Sequence, residues 1–409
     1  MPNISDALHR IPDALIQALP KTDLHLHLDG SMRESTLIEL AGQQNITLPS
    51  TTVEGLNALV FKPTYANLGE YLQGFAYTGA VLQDAESLER ASQELAEDNI
   101  AEGVRYIEVR FAPQLHMHQG LSFDEVLLAV NRGLAAAMAA HECSDAVARH
   151  DEPPFRYGII VCAMRMFTAG FSAWFRQLLA LFENTPHNQV YSMASLELAR
   201  AAVRCRDKHG VPIVGFDLAG QEDGYPARDH RRAYDFAHQH FLKKTVHAGE
   251  AYGPESIFEA ITLLNADRIG HGYHLFSPQL CGPSVSNPED YVQRLSQYIA
   301  DRRVTVEVCI TSNIQTNPDI GGVKNHVFGR MLSERLSATL CTDNRLVSHT
   351  TVSREIRLAV DAFDLDLKQL RNTIIYGFKR SFYPGTYTEK RRYVRCIIDH
   401  YDRVADQYR

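Results

Sequence analysis

The chain has 409 residues, 45% of them hydrophobic and 22% charged, and a formal net charge of -8. This composition fits a globular protein with a large core, disfavours disordered and fibrous architectures, and opposes nucleic-acid binding through a basic surface. The seven cysteines form no CxxC pair, residues 1–20 show no export signal, and no stretch reaches the roughly 18 apolar residues of a membrane helix, so we expect a cytoplasmic protein.

Short apolar or β-branched segments alternate along the chain with longer segments of helical periodicity, which is typical of βα units around a parallel sheet. The predicted strands cover residues 22–28, 104–111, 156–162, 212–218, 244–247, 268–270, 304–310 and 338–342. Helices are predicted between them at 88–102, 123–141, 193–209, 227–242, 255–264 and 291–301. Eight such units favour a (β/α)8 TIM barrel, and since no linker interrupts the pattern, we expect one domain over residues 1–409.

Three segments are longer than a βα unit requires, namely residues 31–87, 143–154 and 276–290. The loops that follow the strands build the active sites of such barrels. Residues 31–87 follow the first strand and are therefore a candidate lid over a ligand. The chain after Thr351 has further helical patterning, and we expect a C-terminal helical extension on the outside of the barrel.

The first predicted strand contains His25 and His27, which project to the same side because strand residues two apart share a face. Such a pair suits a metal ion, although two packed histidines would give the same pattern. Ionisable residues also follow the fifth, sixth and eighth strands, at the end of the barrel where active sites lie: His247, Glu250, His271 and Asp343. Core packing does not require this regularity, so we expect a functional site there.

A metal ion that activates water needs nitrogen or carboxylate ligands and one open coordination position. The candidate ligands are His25, His27, His247 and Asp343. Glu250 and His271 would then supply an acid and a base beside the metal. Three imidazoles and a carboxylate suit one Zn²⁺ per chain, but other divalent ions would accept the same set.

Six motifs occur in one order along the chain: TDLHLHLDG (22–30), DLAG (217–220), HAGE (247–250), GHG (270–272), CITSN (309–313) and LCTDN (340–344). In order and approximate spacing they resemble the signatures of the adenosine deaminase family of the amidohydrolase superfamily, over about residues 20–350. Several separated motifs in one order are far more specific than any single motif. The resemblance implies a zinc-dependent barrel that replaces the exocyclic amine of a purine with the oxygen of water.

The same resemblance implies a role for each matching residue. The zinc ligands that it implies are His25, His27, His247 and Asp343. It makes Glu250 the proton donor to purine N1 and His271 the residue that orients and deprotonates the zinc-bound water. It also implies that Asp29 binds the ribose and that the backbone of Gly220 meets the purine at N3. Glu250 must then be protonated when substrate binds, so we expect it to be buried with a raised pKa.

Asn344 departs from the family pattern, in which two consecutive aspartates close the eighth strand. An amide keeps an acceptor oxygen, gains N–H donors and loses the negative charge. Donation from Asn344 to an unprotonated purine N7 is physically sensible, so we expect a substrate-binding role with an altered substrate preference. Ser312 and Asn313 are expected only to shape the turn after the seventh strand through side-chain to backbone hydrogen bonds.

The substrate that these residues favour is adenosine, together with 2′-deoxyadenosine, with inosine or deoxyinosine and ammonia as products of purine salvage. A carboxylate at Asp29 suits a neutral ribose and opposes a phosphate, although free adenine and a modified adenosine stay open. Two other classes are a catalytically silent nucleoside-binding protein and a two-metal hydrolase bridged by a carboxylated lysine. Retention of every proposed ligand opposes the first, and the lack of lysine in strand four opposes the second. No nucleic-acid or membrane partner is expected.

Overall fold

The computed structural model describes residues 11–408. Residues 1–10 and Arg409, on which the expectations about an export signal and about a single domain partly rest, lie outside this range. Among the residues that are described, no helix is both long and apolar enough to cross a membrane.

Short parallel strands form the centre of the fold: β1 (Lys21–His27), β2 (Val104–Phe111), β3 (Arg156–Met164), β4 (Ile213–Ala219), β5 (Lys243–Lys244), β6 (His247–Ala248), β7 (Arg268–His271), β8 (Thr305–Val308) and β9 (Ser337–Leu340). Strands β1 to β5 pair in chain order, as do β6 to β9. Thr245 donates to Phe216 and Gly270 donates to Val246, so residues 243–248 join the two groups. Asp343 pairs with Leu26 of β1 and joins the two ends. These pairings confirm the predicted barrel.

Two predicted strands differ from the observed ones. The fifth, predicted at 244–247, is divided into β5 and β6, because Thr245 and Val246 bond to opposite neighbours without regular pairing. The seventh, predicted at 304–310, ends at Val308, and a helix begins at Ile310. A short apolar run does not by itself distinguish a buried strand from the first turn of a buried helix.

All the predicted helices are present. The α-helices are α1 (Asp13–Ala18), α2 (Glu34–Gln43), α3 (Val53–Leu59), α4 (Leu68–Tyr71), α5 (Phe75–Val81), α6 (Ala85–Ala101), α7 (Phe123–Glu142), α8 (Asp145–Ala148), α9 (Ala173–Leu181), α10 (His187–His209), α11 (Arg231–Gln239), α12 (Pro254–Thr262), α13 (Pro288–Arg302), α14 (Ile310–Thr316), α15 (Phe328–Ser333), α16 (Val352–Phe363), α17 (Leu367–Arg380) and α18 (Tyr387–Asp406). Side-chain caps start several of them. Asp84 accepts from the Ser87 amide, and Ser122 forms a reciprocal capping box with Glu125.

The C-terminal helices form the expected extension. Helix α17 packs so closely on the barrel that a Cβ atom at Gly377 would lie 2.1 Å from Oγ1 of Thr22 in β1. Glycine at this position therefore permits the contact between helix and strand.

Buried charges fill the barrel below the ends of the strands. Glu307 of β8 accepts from Nε of Arg268 at 2.6 Å, and Arg268 also pairs with Glu108 of β2. The backbone amide of Phe382, which follows α17, donates to Glu108, and the Arg268 guanidinium lies 3.5 Å from the centre of the Phe382 ring. Charged groups are tolerated in a core only when they are paired and hydrogen-bonded, and this arrangement meets that condition.

Candidate active site

The four predicted metal ligands meet at the carboxyl end of the barrel. The Nε2 atom of His247 lies 3.0 Å from Nε2 of His25 and 3.1 Å from Nε2 of His27. Oδ1 of Asp343 lies 3.3 Å from Nε2 of His25 and 3.4 Å from Nε2 of His27. Bonds of about 2.0–2.1 Å to one ion place ligand atoms at neighbouring coordination positions about 3.0–3.4 Å apart. The four side chains therefore have the chemistry and the spacing of a site for one divalent metal ion.

His271 also lies close to this cluster, since a nitrogen of its ring is within 4.8 Å of ligand atoms on His25, His247 and Asp343. Its protonation is fixed by neighbours. The Phe328 amide donates to Nδ1 of His326, so the neutral His326 ring donates from Nε2 to Oδ1 of Asn313 (3.1 Å). The Asn313 amide nitrogen then donates to Nδ1 of His271 (3.1 Å). Neutral His271 consequently carries its proton on Nε2, which suits a hydrogen-bond donor better than a metal ligand.

The rings of two candidate ligands are held by buried carboxylates. Nδ1 of His25 lies 2.9 Å from Glu307, and Nδ1 of His247 lies 3.1 Å from Asp217. Arg110 of β2 bridges both carboxylates at 2.8 Å. Carboxylates in these positions orient Nε2 of each ring toward a metal. Glu307 and Arg110 were missed in the sequence, although both are charged residues inside fully buried strands, where a charge needs a partner.

The backbone at two of the site residues lies in the left-handed region, with φ of 63° at His271 and 63° at Asp343. This conformation costs a non-glycine residue on the order of 1–3 kcal/mol and persists only where other contacts enforce it. At Asp343 two backbone hydrogen bonds do so, since its N–H donates to His25 and its carbonyl accepts from His27, both at 2.8 Å.

Glu250 is buried beside His271, with 3.6 Å between its Oε1 and the ring Nε2. Burial raises the pKa of Glu250 to about 8, as the chemistry of an acid requires. The loop that carries Glu250 is held by Glu222, whose carboxylate accepts the amide N–H groups of residues 249–252 at 2.9–3.0 Å. Nothing in the sequence pattern distinguished Glu222, because four of its hydrogen bonds come from backbone amides and only one from a side chain, that of Ser256.

The prediction that Ser312 and Asn313 only shape a turn was wrong. Ser312 donates to Oδ2 of Asp343 at 2.7 Å, and Asn313 donates to His271. Both residues lie in the first turn of α14, which begins two residues after β8 ends and points their side chains at the site.

A cavity of about 650 Å³ opens above the cluster. His27, His247, Glu250, His271 and Asp343 lie on its floor, and Asp29, Gly220 and Asn344 also line it. Oδ1 of Asp29 is buried without a hydrogen-bond partner, and burial raises the pKa of this carboxyl to about 6. Gly220 has a φ of 96°, a conformation that favours glycine, and because it has no side chain its backbone borders the cavity directly.

The walls of the cavity are mostly apolar and come from segments inserted after two strands. The first insertion (residues 31–87) contributes Leu72 and Phe75, and the segment after β3 contributes Met166 and Phe171. The expectation that the first insertion covers a ligand site therefore agrees with its position. Among the described residues that line the cavity, none is lysine or arginine.

Known proteins similar to this chain were identified by sequence and by structure. The adenosine deaminase family matches residues 20–400. An adenosine deaminase from Mycobacterium marinum is 36% identical over 372 residues, which cover 90% of this chain and 92% of that relative. The solved N6-mAMP deaminase of Arabidopsis is 25% identical, with a TM-score of 0.71 and coverage of 94% of this chain and 99% of that one. The adenine deaminase of Arthrobacter aurescens, at 21% identity and a TM-score of 0.70 over 93% of this chain and 99% of that one, shares the fold. This chain therefore belongs to the adenosine deaminase family of hydrolases.

Proposed function

We propose that this enzyme is a zinc-dependent adenosine deaminase, which converts adenosine and 2′-deoxyadenosine to inosine and deoxyinosine with release of ammonia. The observation that carries the proposal is the convergence of His25, His27, His247 and Asp343, with ligand atoms 3.0–3.4 Å apart. They meet beneath a cavity that Glu250 also lines.

These four residues would hold one Zn²⁺. A bound zinc ion supplies Lewis acidity and lowers the pKa of water to about 7. The Nε2–H group of His271 faces the same space and would orient the attacking water. The resemblance implied that His271 both orients and deprotonates the water. Because Nε2 already carries a proton and cannot accept another, we assign His271 only the orienting role.

Glu250 would act as the general acid. Addition of oxygen at C6 of the purine places negative charge on N1, and a protonated carboxyl beside that atom neutralises it. Burial keeps Glu250 protonated at neutral pH, because it raises the pKa to about 8. Glu222 would hold the acid in place through the four amides of its loop.

Asp29 and Gly220 support a nucleoside as substrate. The unpartnered oxygen of Asp29 would accept a hydrogen bond from a ribose hydroxyl, which free adenine lacks. The bare backbone of Gly220 would admit the N3 edge of the purine. A nucleotide would bring a phosphate into a cavity that is lined by the carboxylates of Asp29 and Asp343 and, among the described residues, by no lysine or arginine. We therefore expect a substrate without a phosphate, unlike the nucleotide N6-mAMP in the name of the Arabidopsis relative. Free adenine and a modified adenosine are the remaining candidates.

Substrate profiling with controlled metal content tests the proposal. We expect the purified enzyme to lose absorbance-monitored turnover of adenosine on chelation and to recover it when Zn²⁺ is added back. The same assay with 2′-deoxyadenosine, adenine, N6-methyladenosine and adenylate should rank the two unmodified nucleosides first.

Turnover that survives complete removal of metal would contradict the zinc site. Higher kcat/KM for adenine or adenylate would replace the proposed substrate and leave the metal chemistry intact. Binding of adenosine without turnover, at full zinc content, would indicate a silent nucleoside-binding protein.

A further inference from the structure

A relay of three buried side chains leads from the outside of the cavity lining to His271. It consists of His326, Asn313 and His271, each with 2% of its surface exposed or less. They come from three segments: the connection between α14 and α15, α14 itself, and the end of β7. The ring of Tyr273 covers His326, with 5.3 Å between the ring centres. His326 lies outside the cavity lining, so any effect that it has on the reaction must pass through Asn313.

A backbone group sets the direction of the hydrogen bonds in this relay. The amide of Phe328 can only donate, and its acceptor is Nδ1 of His326 at 3.1 Å. A ring nitrogen that accepts carries no proton, so the proton of a neutral ring lies on Nε2. Burial lowers the pKa of His326 to about 3, which keeps the ring neutral. His326 is therefore a donor toward Asn313.

Asn313 transmits this direction to His271. Its Oδ1 accepts from Nε2 of His326 at 3.1 Å, so its amide nitrogen faces Nδ1 of His271, also at 3.1 Å, and donates to it. A half-turn of the amide would place its nitrogen against the Nε2–H group of His326, with two donors facing each other. The relay contains no hydroxyl, and none of its members can exchange donor and acceptor roles while the bond from Phe328 is kept.

The relay ends at Nε2 of His271, which carries the ring proton. This nitrogen is buried and has no hydrogen-bond partner among the described residues, and Oε1 of Glu250 lies 3.6 Å from it. A buried donor without a partner costs about 1–3 kcal/mol, and an oxygen of the reacting molecules recovers that cost when it binds there. A donor that is oriented before the reaction also stabilises charge on that oxygen without further reorganisation.

We propose that His326 is a positioning residue for deamination, which acts through Asn313 to keep His271 a hydrogen-bond donor at Nε2. The inference rests on the proposed function, because it assumes that the attacking oxygen lies beside His271. A residue that touches no substrate would then decide whether His271 donates to that oxygen or accepts from it. Reversing the relay should convert His271 from a donor into an acceptor.

Asn313→Asp reverses the last bond of the relay. A carboxylate accepts from His326 as the amide oxygen does, but it must also accept from His271, so the ring proton moves to Nδ1 and Nε2 becomes an acceptor. We expect kcat for adenosine to fall about 10²–10³-fold, the usual cost of losing one donor to the developing charge, while KM changes by less than about twofold. If His271 served as a base, the same variant would keep or raise kcat, and that result would overturn the inference.

Nitrogen NMR of the zinc-loaded enzyme, produced with isotope-labelled histidine, identifies the protonated ring nitrogen directly. The signals of His271 are those that disappear in His271→Gln. They should show the proton on Nε2 in the unmodified enzyme and on Nδ1 in Asn313→Asp. A proton on Nδ1 of His271 in the unmodified enzyme would overturn the inference, whatever the activity.

Two substitutions at His326 separate positioning from packing. Glutamine offers an oxygen to the Phe328 amide and an N–H group to Asn313, so His326→Gln should keep the tautomer of His271 and most of kcat. His326→Leu offers neither, and the amide of Asn313 is then free to rotate. Both tautomers of His271 should appear in this variant, and kcat should fall about tenfold at unchanged zinc content.

His141→Leu is the matched control. His141 is also buried, but it lies at the end of α7 and its Nε2 faces the carbonyl of Pro153 at 3.2 Å. This variant should change neither kcat nor the tautomer of His271. Equal losses of kcat in His326→Gln and His326→Leu, with one tautomer of His271 throughout, would overturn the inference. Failure of the unmodified enzyme to deaminate adenosine would instead overturn the proposed function.

Discussion

The floor and the walls of the cavity are built in different ways. On the floor, each site residue stands on a strand or directly after one, and buried carboxylates hold the rings of His25 and His247. The walls come from inserted segments and present apolar side chains, among them Phe75 and the 39%-exposed Phe171. The comparison predicts that the chemistry depends on the barrel, whereas the insertions supply the apolar contacts to a substrate that the strand-end residues Asp29 and Gly220 help to select. Mutations in the walls should then leave zinc affinity and kcat unchanged, and mutations of the floor should leave the apolar contacts to the substrate unchanged.

The largest effect is expected on the floor, at the acid. In the proposed mechanism Glu250→Gln removes the proton that purine N1 receives, so kcat should fall by about 10²–10⁴-fold. Its zinc content should stay that of the unmodified enzyme, as metal analysis would check. Glu255→Gln on α12, which lies outside the cavity lining, is the control and should keep ordinary turnover. Loss of zinc from Glu250→Gln would place Glu250 among the ligands and contradict its assignment.

The pH dependence of the same acid sharpens this result. Because the folded-state pKa of Glu250 is raised to about 8, the active protonated form is lost as pH rises, and kcat/KM should decline above about pH 8. The free energy of unfolding should also fall as the pH rises, since a carboxyl whose pKa is raised in the folded state favours folding at low pH. That contribution disappears as the pH passes from the ordinary value of 4.5 to about 8. A rate that keeps rising through pH 9 would contradict a protonated acid.

An intermediate effect is expected beneath the floor. Glu307→Gln removes the charge that faces Nδ1 of His25, and loss of such an orienting carboxylate weakens metal binding by about 10–100-fold. Competition with a chelator would measure the zinc dissociation constant. Glu355→Gln is the control, since Glu355 is equally buried but bonds to Thr311 and Thr350 and to no histidine of the site. Equal zinc affinities in the two variants would show that Glu307 has only a structural role.

The smallest effect is expected in the wall. Phe75→Ala removes apolar surface from the cavity, and a loss of about 1.4 kcal/mol would raise the KM for adenosine about tenfold. Zinc affinity and kcat should stay unchanged. Phe258→Ala, at an exposed aromatic residue of α12 outside the cavity lining, is the control and should leave KM as it is. A large fall in kcat for Phe75→Ala would contradict the separation between wall and floor.

The same division explains what the sequence could predict. Strand alternation placed His25 and His27 on one face, and the positions of His247 and Asp343 after apolar runs indicated the rest of the floor. Glu307 could have been recognised as well, because a glutamate inside the apolar run TVEV must face a buried partner. The motifs also gave Asp29, Gly220 and Asn344 as cavity residues through the resemblance to a family.

Contacts between distant segments could not be predicted in this way. The bond between Tyr71 and Asn344 joins residues 273 positions apart, and its geometry depends on how the short helices of the first insertion pack on the barrel, which local periodicity does not determine. Glu222 was equally hidden, because backbone amides carry no sequence signal. The interpretation of Ser312 and Asn313 failed for a related reason, since the start of α14 lay inside what read as a strand.

The pairing of Arg268 with Glu108 and Glu307 has a consequence for how the chain matures on the ribosome. Phe382 and the carbonyl of Arg380 complete the surroundings of these ions from the C-terminal side. A nascent chain that has not yet reached residue 380 leaves a guanidinium and a carboxylate in the barrel without these hydrogen bonds, and each buried polar group left without a partner costs about 1–3 kcal/mol or more. The closed barrel should therefore reach its full stability only after the last helices have emerged, although all four proposed metal ligands are synthesised earlier.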